Sequence, residues 1–333
     1  MNIKTGITIA GSLLTDVFYK IETYPIEGNL TNIQEVEYNI GGSGNLILDL
    51  AKLDSELKIN VSSLIGDDSS GEMLYEKLSG YENVSLDGLI KDGRSSITLV
   101  MNAQDTKQRT FFFLPSSSDL YCEEYINWNK INTKIFHLEY LLLMAKIDEK
   151  DNVYGTHGAK ILYEAQKRGM ITSIDVVSKD GTRAKEIVCH ALKYTDICCF
   201  NEIEAQTTTG ILMLDKYKNV DKWAKDTLEC LKTLGVSTWA VIHMPECGYG
   251  YDYNKKIFLK IPSFKLPKGF IKGTNGAGDA YCSGILYGAY KDFDLKKAMV
   301  LATACAACSL SYENGIDGIK PIEETWRFAE LYL

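Results

Sequence analysis

Short runs rich in β-branched residues alternate with longer segments of helical period through most of the chain, and that alternation leaves few architectures open. Joining two parallel strands takes a crossover, usually a helix laid on the face of the sheet, so repeated units build a mostly parallel sheet flanked by helices. Strands are expected at 5–10, 58–65, 134–143, 170–177, 195–200 and 236–243. Helices are expected between them at 44–53, 71–78, 155–168, 182–193 and 217–234, with three more at 276–290, 294–310 and 321–332. In the first of these, Leu46, Leu50 and Leu53 fall on one helical face, the face that needs a core.

Two stretches break the rhythm. Residues 15–38 are rich in β-branched and aromatic side chains around a Pro25/Gly28 turn, and 95–114 reads as two strands around a polar turn. Neither is long enough to fold alone, so both are expected in one small sheet protruding from the main body, placed to act as a lid over a cleft. No repeat or linker divides the sequence, and a single α/β domain spanning residues 1–333 is the expected organisation.

The chain has 333 residues, 45% of them hydrophobic, with a formal charge of −8. That apolar content excludes disorder. The scattered acidity argues against a nucleic-acid partner, which requires a basic face, but leaves room for a small phosphorylated molecule held by backbone amides and a metal. Nine cysteines without framework spacing point to reduced thiols and a cytoplasmic protein. Cys305 and Cys308 share C-x-x-C spacing in a helix-like run with no second pair, which suits buried packing better than a metal. The apolar stretch after Met1 is too short for a signal peptide or a span, and no later stretch is long enough to cross a membrane.

The most informative segment is G-T-N-G-A-G-D-A-Y-C-S-G, Gly273 to Gly284, directly before an amphipathic helix. Its glycines let backbone amides approach an anion, and the helix start adds unpaired N–H groups and the positive end of a dipole. Asp279 in the first turn would sit where negative charge collects, which does not help to hold a phosphate. It does suit a base that takes a proton from a hydroxyl attacking phosphorus, while the Gly276, Ala277 and Gly278 amides stabilise the equatorial oxygens. A Gly-rich turn with an Asp complementing the dipole explains the spacing equally well, and spacing alone leaves both open.

The segment resembles the C-terminal signature of the ribokinase-like, or pfkB-type, carbohydrate kinases, approximately D-T-x-G-A-G-D-x-F-x-x-G. It matches at Thr274, Gly276, Ala277, Gly278, Asp279 and Gly284, and departs at Gly273, where the family usually has Asp. The resemblance implies that Asp279 is the catalytic base and that the 276–278 amides form the anion hole. It extends to Gly11, Asp16, Pro25 and Gly28 near the N-terminus, and to G-G-S-G-N, Gly41 to Asn45. By that likeness Asp16, Gly41, Gly42 and Asn45 bind substrate, a carboxylate and an amide being suited to paired hydroxyls. Ile65 to Gly71 is similar to the family's I-G-x-D-x-x-G turn, with Asp68 as a substrate or structural contact. A P-loop reading of that turn fails because Glu72 and Met73 follow Gly71.

Asn201 and Glu204 match the family's N-x-x-E motif, which implies that they order waters around Mg²⁺ on the ATP phosphates; an N-cap Asn with a capping Glu is the plainer alternative. On the nucleotide side the likeness implies roles for Thr274, Gly248 and Gly315. His243 and Pro245 replace the usual Thr and Gly of a T-x-G-x-x-G loop, and Val177 stands where many relatives have Asn. Pro245 removes an amide donor from that loop.

The resemblance therefore implies a ribokinase-like fold and an ATP-dependent, Mg²⁺-requiring kinase of a small sugar, with a monovalent cation as a further expected ligand. A nucleoside substrate is the nearest alternative, since a lid carrying Tyr19, Phe111, Phe112 and Phe113 could stack a base. A catalytically weak sugar- or nucleotide-binding sensor is the alternative of another class, suggested by Gly273 and Pro245. A homodimer through the lid strands is expected because exposed strand edges tend to find partners.

Overall fold

The computed structural model describes residues 4–106, 108–178, 182–213 and 219–332. The chain opens with β1 (Ile7–Gly11), a wholly buried ITIAG strand. It continues through β2 (Leu13–Ile21), β3 (Ile33–Gly42), α1 (Ser43–Leu53), β4 (Ile59–Ile65), α2 (Ser69–Ser79) and β5 (Val84–Lys91). Next come β6 (Ser96–Ala103), β7 (Arg109–Leu114), the short α3 (Ser117–Leu120), β8 (Ile135–Leu141) and α4 (Ala145–Asp148). A two-stranded ribbon, β9 (Lys150–Asp151) and β10 (Gly155–Thr156), leads to α5 (His157–Lys167), β11 (Ile171–Val176) and α6 (Thr182–Leu192). After β12 (Ile197–Asn201) come α7 (Glu202–Thr209), α8 (Val220–Leu234), β13 (Trp239–His243), β14 (Cys247–Asp252) and β15 (Ile257–Pro262). Three helices close the chain: α9 (Ala277–Tyr290), α10 (Leu295–Ser309) and α11 (Ile322–Glu330).

Nine strands form one sheet in the order β15-β14-β13-β12-β11-β8-β1-β4-β5. From β13 to β5 every pairing is parallel; β14 and β15 add an antiparallel edge. Alternate residues of each strand feed two separate cores. Ile7, Ile9, Ile135, Ile197 and Val241 pack with α1, α9 and α10 on one face. Phe136, Leu138, Ile174, Phe200 and Ile242 pack with α5, α6 and α8 on the other. A strand buried on both faces is mostly apolar, which is why these runs read as near-continuous rather than alternating hydrophobic segments.

The lid is a separate four-stranded sheet, β3-β2-β6-β7, in which only the β2–β6 pairing is parallel. It is somewhat longer than expected, because β2 begins at Leu13 and β3 runs to Gly42, directly into α1.

The expected alternation is present, with three strands of the sheet unforeseen: β5, β14 and β15. β5 carries Asp87 and Gly88, and β14 is the Gly- and Tyr-containing CGYGYD, so neither has an apolar run to announce it. The strand expected over 134–143 stops at Leu141, where Tyr140 and Leu142 take positive φ values of 61° and 78°. The helix expected over 217–234 is seen from Val220; residues 217 and 218 lie outside the described residues. Among the described residues no helix is long and apolar enough to cross a membrane.

Candidate active site

The chain leaves β1 toward β4 on one side and reaches β8 on the other, so the direction of strand succession reverses between β1 and β8. Crossovers diverge to opposite faces at such a point and leave a crevice beyond the carboxyl ends of the strands. At that end β8 and β11 slip out of register between Ile174 and Val176. The bulge turns Asp175 toward Tyr140, whose backbone N–H donates to Asp175 Oδ1 at 3.0 Å. An aromatic residue at positive φ is uncommon and strained, and such strain concentrates at functional sites. Here the phenol gains a fixed aim, and Tyr140 donates its hydroxyl to Asp279 Oδ1 at 2.8 Å.

Asp279 lies in the first turn of α9 and is buried. Gly276 is the N-cap at φ 72°, with no side-chain cap, so the amides opening the helix have no side-chain acceptor from their own cap. Those amides face the same region as the carboxylate, which Asn45 Nδ2 holds at Oδ2 from 2.9 Å. Asn45 comes from the first turn of α1, which packs against α9. Burial pushes the Asp279 pKa up to about 6, against the two hydrogen bonds from Asn45 and Tyr140, which favour the ionised form. The group is thus poised to exchange a proton near neutrality.

Asp16 sits in the lid on β2, close beneath Gly41 of β3. A Cβ on Gly41 would stand 2.4 Å from Asp16 Oδ2, so only glycine leaves space over the carboxylate. Burial raises Asp16 to about 7, against a hydrogen bond from Thr98 and with the help of Asp279's charge. Gly42, at φ 59°, turns the chain from β3 into α1 with its Cα hydrogens against Ser12 O. The two ends of the sequence therefore meet: Asp16, Gly41, Gly42 and Asn45 lie beside Asp279 and the 276–278 turn.

Asn201 and Glu204 form the capping box of α7. The Asn201 side chain accepts from the Ile203 and Glu204 amides, and Glu204 Oε2 accepts from the Asn201 amide at 2.8 Å. Ser178 Oγ and Asn201 Nδ2 both donate to Glu204 Oε1. The plainer alternative is realised, and it also holds a buried carboxylate facing the site. Burial lifts Glu204 to about 7, and Asp279 contributes to that rise.

On the nucleotide side the structure corrects one expectation. Met244 to Glu246 are the turn of the β13–β14 hairpin, not an open loop, and Gly248 is paired with His243 inside the sheet. A Cβ on Gly248 would lie 2.2 Å from the Tyr281 hydroxyl, so this glycine is buried under α9 rather than turned to the cleft. His243 instead packs against Gly278, and burial lowers its pKa to about 4, leaving a neutral ring beside the amides. Gly315, at φ 74°, supports the 275–276 backbone from beneath; its Cβ would meet Asn275 O at 2.0 Å. Gly273 is similarly enclosed by the 312–313 backbone, with Glu313 O 2.7 Å from a Cβ position. An Asp there would require that backbone to shift.

Thr274 is exposed and accepts a 2.7 Å hydrogen bond from Arg109 Nη2 of lid strand β7. The bond crosses a cleft of about 400 Å³ whose walls are the lid's inner face, with Phe18, Lys20 and Asn102, and the loop from Ile271 to Thr274. Strand register places Phe111 and Phe113 on the face shared by Asp16, whereas Tyr19 and Phe112 face the other way and cannot stack a ligand in this cleft. Asp68 caps α2 and bonds Ser95, a structural role.

Four contributors lay beyond sequence reasoning: Tyr140, Arg109, His243 as a wall of the anion site, and Glu139. Glu139 is fully buried, lies within 4.8 Å of Asp175 and Asp279, and has its pKa pushed up by burial and by their negative charge. None has a local signal, since each acts on residues distant in sequence.

A buried carboxylate at a helix N-terminus, at the switch point of a parallel sheet, is an arrangement suited to phosphoryl transfer. The family model for pfkB family carbohydrate kinases matches residues 4–322, and the chain belongs to that family. A nucleoside kinase from Methanocaldococcus jannaschii is 25% identical over 317 residues, covering 90% of this chain and 89% of that protein. A probable chloroplastic fructokinase of Arabidopsis thaliana is 23% identical over 296 residues, covering 84% and 71%. In fold, the chain superposes on Arabidopsis thaliana ribokinase complexed with ribose and ATP at a TM-score of 0.80, covering 98% and 99% of the two chains at 16% identity. The protein is an ATP-dependent phosphotransferase acting on a hydroxyl of a small sugar-like substrate.

Proposed function

We propose that Asp279 is the base of this kinase and that the 276–278 amides form its anion hole. The observation that carries the reading is the double clamp on Asp279 from Asn45 and Tyr140 directly at the open N-terminus of α9. Asp16 and Asn45, with the backbone at Gly41 and Gly42, orient the substrate hydroxyls. Asp279 accepts the proton of the attacking hydroxyl as the new O–P bond forms and the bond to the bridging oxygen of the leaving ADP breaks. The amides of Gly276, Ala277 and Gly278 receive the charge on the transferred group. Thr274 lines the nucleotide side, Gly315 supports the turn there, and Gly248 contributes only by letting Tyr281 pack.

Glu204 and Asn201 fit a water-mediated Mg²⁺ role, because a buried carboxylate with a raised pKa gains from a nearby cation. When bound, Mg²⁺ neutralises charge on the ATP phosphates. A monovalent cation would rest on backbone carbonyls, since position 273 offers no carboxylate; ADP release in K⁺ against a bulky organic cation tests this.

Residues 1–333 act as one ribokinase-like domain with the lid inserted, a reading supported by the contact of Asn45 with Asp279. The acceptor is a small molecule and not a nucleic acid, in keeping with the charge of −8. Nine free cysteines favour work in the cytoplasm. A homodimer through the lid is supported by exposed Ile33, Val36 and Tyr38 on edge strand β3 and Phe111, Phe112 and Leu114 on edge strand β7; a monomeric mass at working concentration would count against it.

A sugar is the first choice of substrate, given the polar groups of the lid face. Phe111 and Phe113 on that face favour a nucleoside as the second. An ADP-release screen over sugars, sugar acids and nucleosides, with Asp279→Asn as control, decides between them. Substrate-stimulated ADP formation lost in the variant is the expected result. Full activity in Asp279→Asn would remove the assigned base, and no ADP from any compound would favour a binding protein.

A further inference from the structure

The sheet face that carries Glu139 also carries His137, two residues earlier on β8, and the chemistry above does not use it. The imidazole is fully buried. Its Nδ1 is 3.1 Å from Ser173 Oγ, while its Nε2 has no hydrogen-bond partner and lies 3.9 Å from Asp175 Oδ1. Cys282 reaches the same point from α9, one turn beyond Asp279. Ligand atoms of His137, Asp175 and Cys282 all lie within 4.8 Å of one another. A histidine with one nitrogen fixed by a hydroxyl and the other bare, aimed at a carboxylate and a thiol, has the build of a metal ligand with outer-shell support.

We propose that His137, Asp175 and Cys282 form a site for a borderline-soft divalent transition metal of the Zn²⁺ type in the floor of the catalytic cleft. The donor set decides the class of metal: nitrogen, sulfur and one oxygen suit tetrahedral Zn²⁺, whereas Mg²⁺ requires oxygen ligands in an octahedron. Glu139 borders the site through Asp175, which it shares with a neighbouring carboxylate cluster. Both its carboxylate oxygens are buried without a hydrogen-bond partner, and it lies within the same reach of Asp175. A dication would offset the mutual repulsion of these carboxylates. The thiol proton leaves to solvent as the metal–sulfur bond forms. Entry runs from the cleft past Asp279 and Asp175, both of which retain slight exposure.

The site is tested by titrating the metal-stripped full chain with Co²⁺ and then Zn²⁺. The expected result is a near-ultraviolet thiolate-to-cobalt band that saturates at a single equivalent per chain and is discharged by Zn²⁺. Cys282→Ala removes the band, while Cys230→Ala, at a half-buried cysteine elsewhere, leaves it intact. His137→Gln weakens Zn²⁺ binding by about tenfold or more. Circular dichroism establishes that each variant is folded, and Cys282→Ser, closer in volume, serves if alanine is not tolerated. Absence of the band in the wild type, or its persistence at full stoichiometry in a folded Cys282 variant, overturns the proposal.

Discussion

A carboxyl group walled in between a helix end and a sheet edge is harder to ionise than one in water, and Asp279 shows both results of that burial. Its pKa is raised from the ordinary 3.8 to about 6, so its stabilising contribution is complete below pH 4 and is lost as pH rises through about 6. Above that pH the fold holds an ionised group it would hold more cheaply as an amide. Asp279→Asn is therefore expected to gain about 1 kcal/mol in thermal stability while turnover falls about 10²- to 10⁴-fold. Calorimetry and ADP release on the same preparation check the pair of effects, and a destabilised variant would contradict the electrostatic account. Tyr140→Phe removes a donor that favours the ionised base, so the acid limb of kcat/KM is expected to move to higher pH. An unmoved limb would mean that the phenol does not act on Asp279.

At the scale of elements, α9 is a helix whose N-terminus was left uncapped by side chains, with its approach shaped by Gly273, which backbone encloses, and Gly276, whose φ of 72° favours glycine. Gly273 shows the cost of reversing that. Gly273→Asp, which installs the residue usual in the family, has to displace the 312–313 backbone and is expected to lose about 1–3 kcal/mol of stability in a denaturant titration. Stability equal to wild type would show that this turn can yield. The capping box of α7 makes the opposite point: Asn201 and Glu204 satisfy the helix end and, in doing so, hold a carboxylate toward the site.

For the whole molecule, the decisive contact is the one between lid and loop. Arg109 on β7 bonds Thr274, beside the anion turn, across the cleft. Losing a hydrogen bond of about 1 kcal/mol corresponds to roughly a fivefold change in an equilibrium. Arg109→Ala is expected to raise the substrate KM by about that factor and to increase ADP released per phosphorylated product, because a looser lid admits water. Coupled assays of ADP and product on one reaction would reveal it, and an unchanged ratio would mean that Arg109 does not govern closure.

The sequence alone determined the parallel α/β layering, the lid segments, and the loops at Gly41–Asn45 and Gly273–Gly284, because each is written in local pattern: apolar runs, helical period, glycine spacing. The edge strand β5 and strand β14, next to the other edge, were not legible, since their polar and glycine residues are accommodated only by neighbouring strands. Tertiary structure alone decided that Tyr140 and Asn45 clamp Asp279, that Arg109 reaches Thr274, that Gly248 is buried under Tyr281, and that Tyr19 faces away from Asp16. Those are contacts between residues tens to hundreds of positions apart, or choices of strand face set by register. A helix end and its glycines can be read from spacing. The proton affinity of the carboxylate beside them depends on what the fold buries it against.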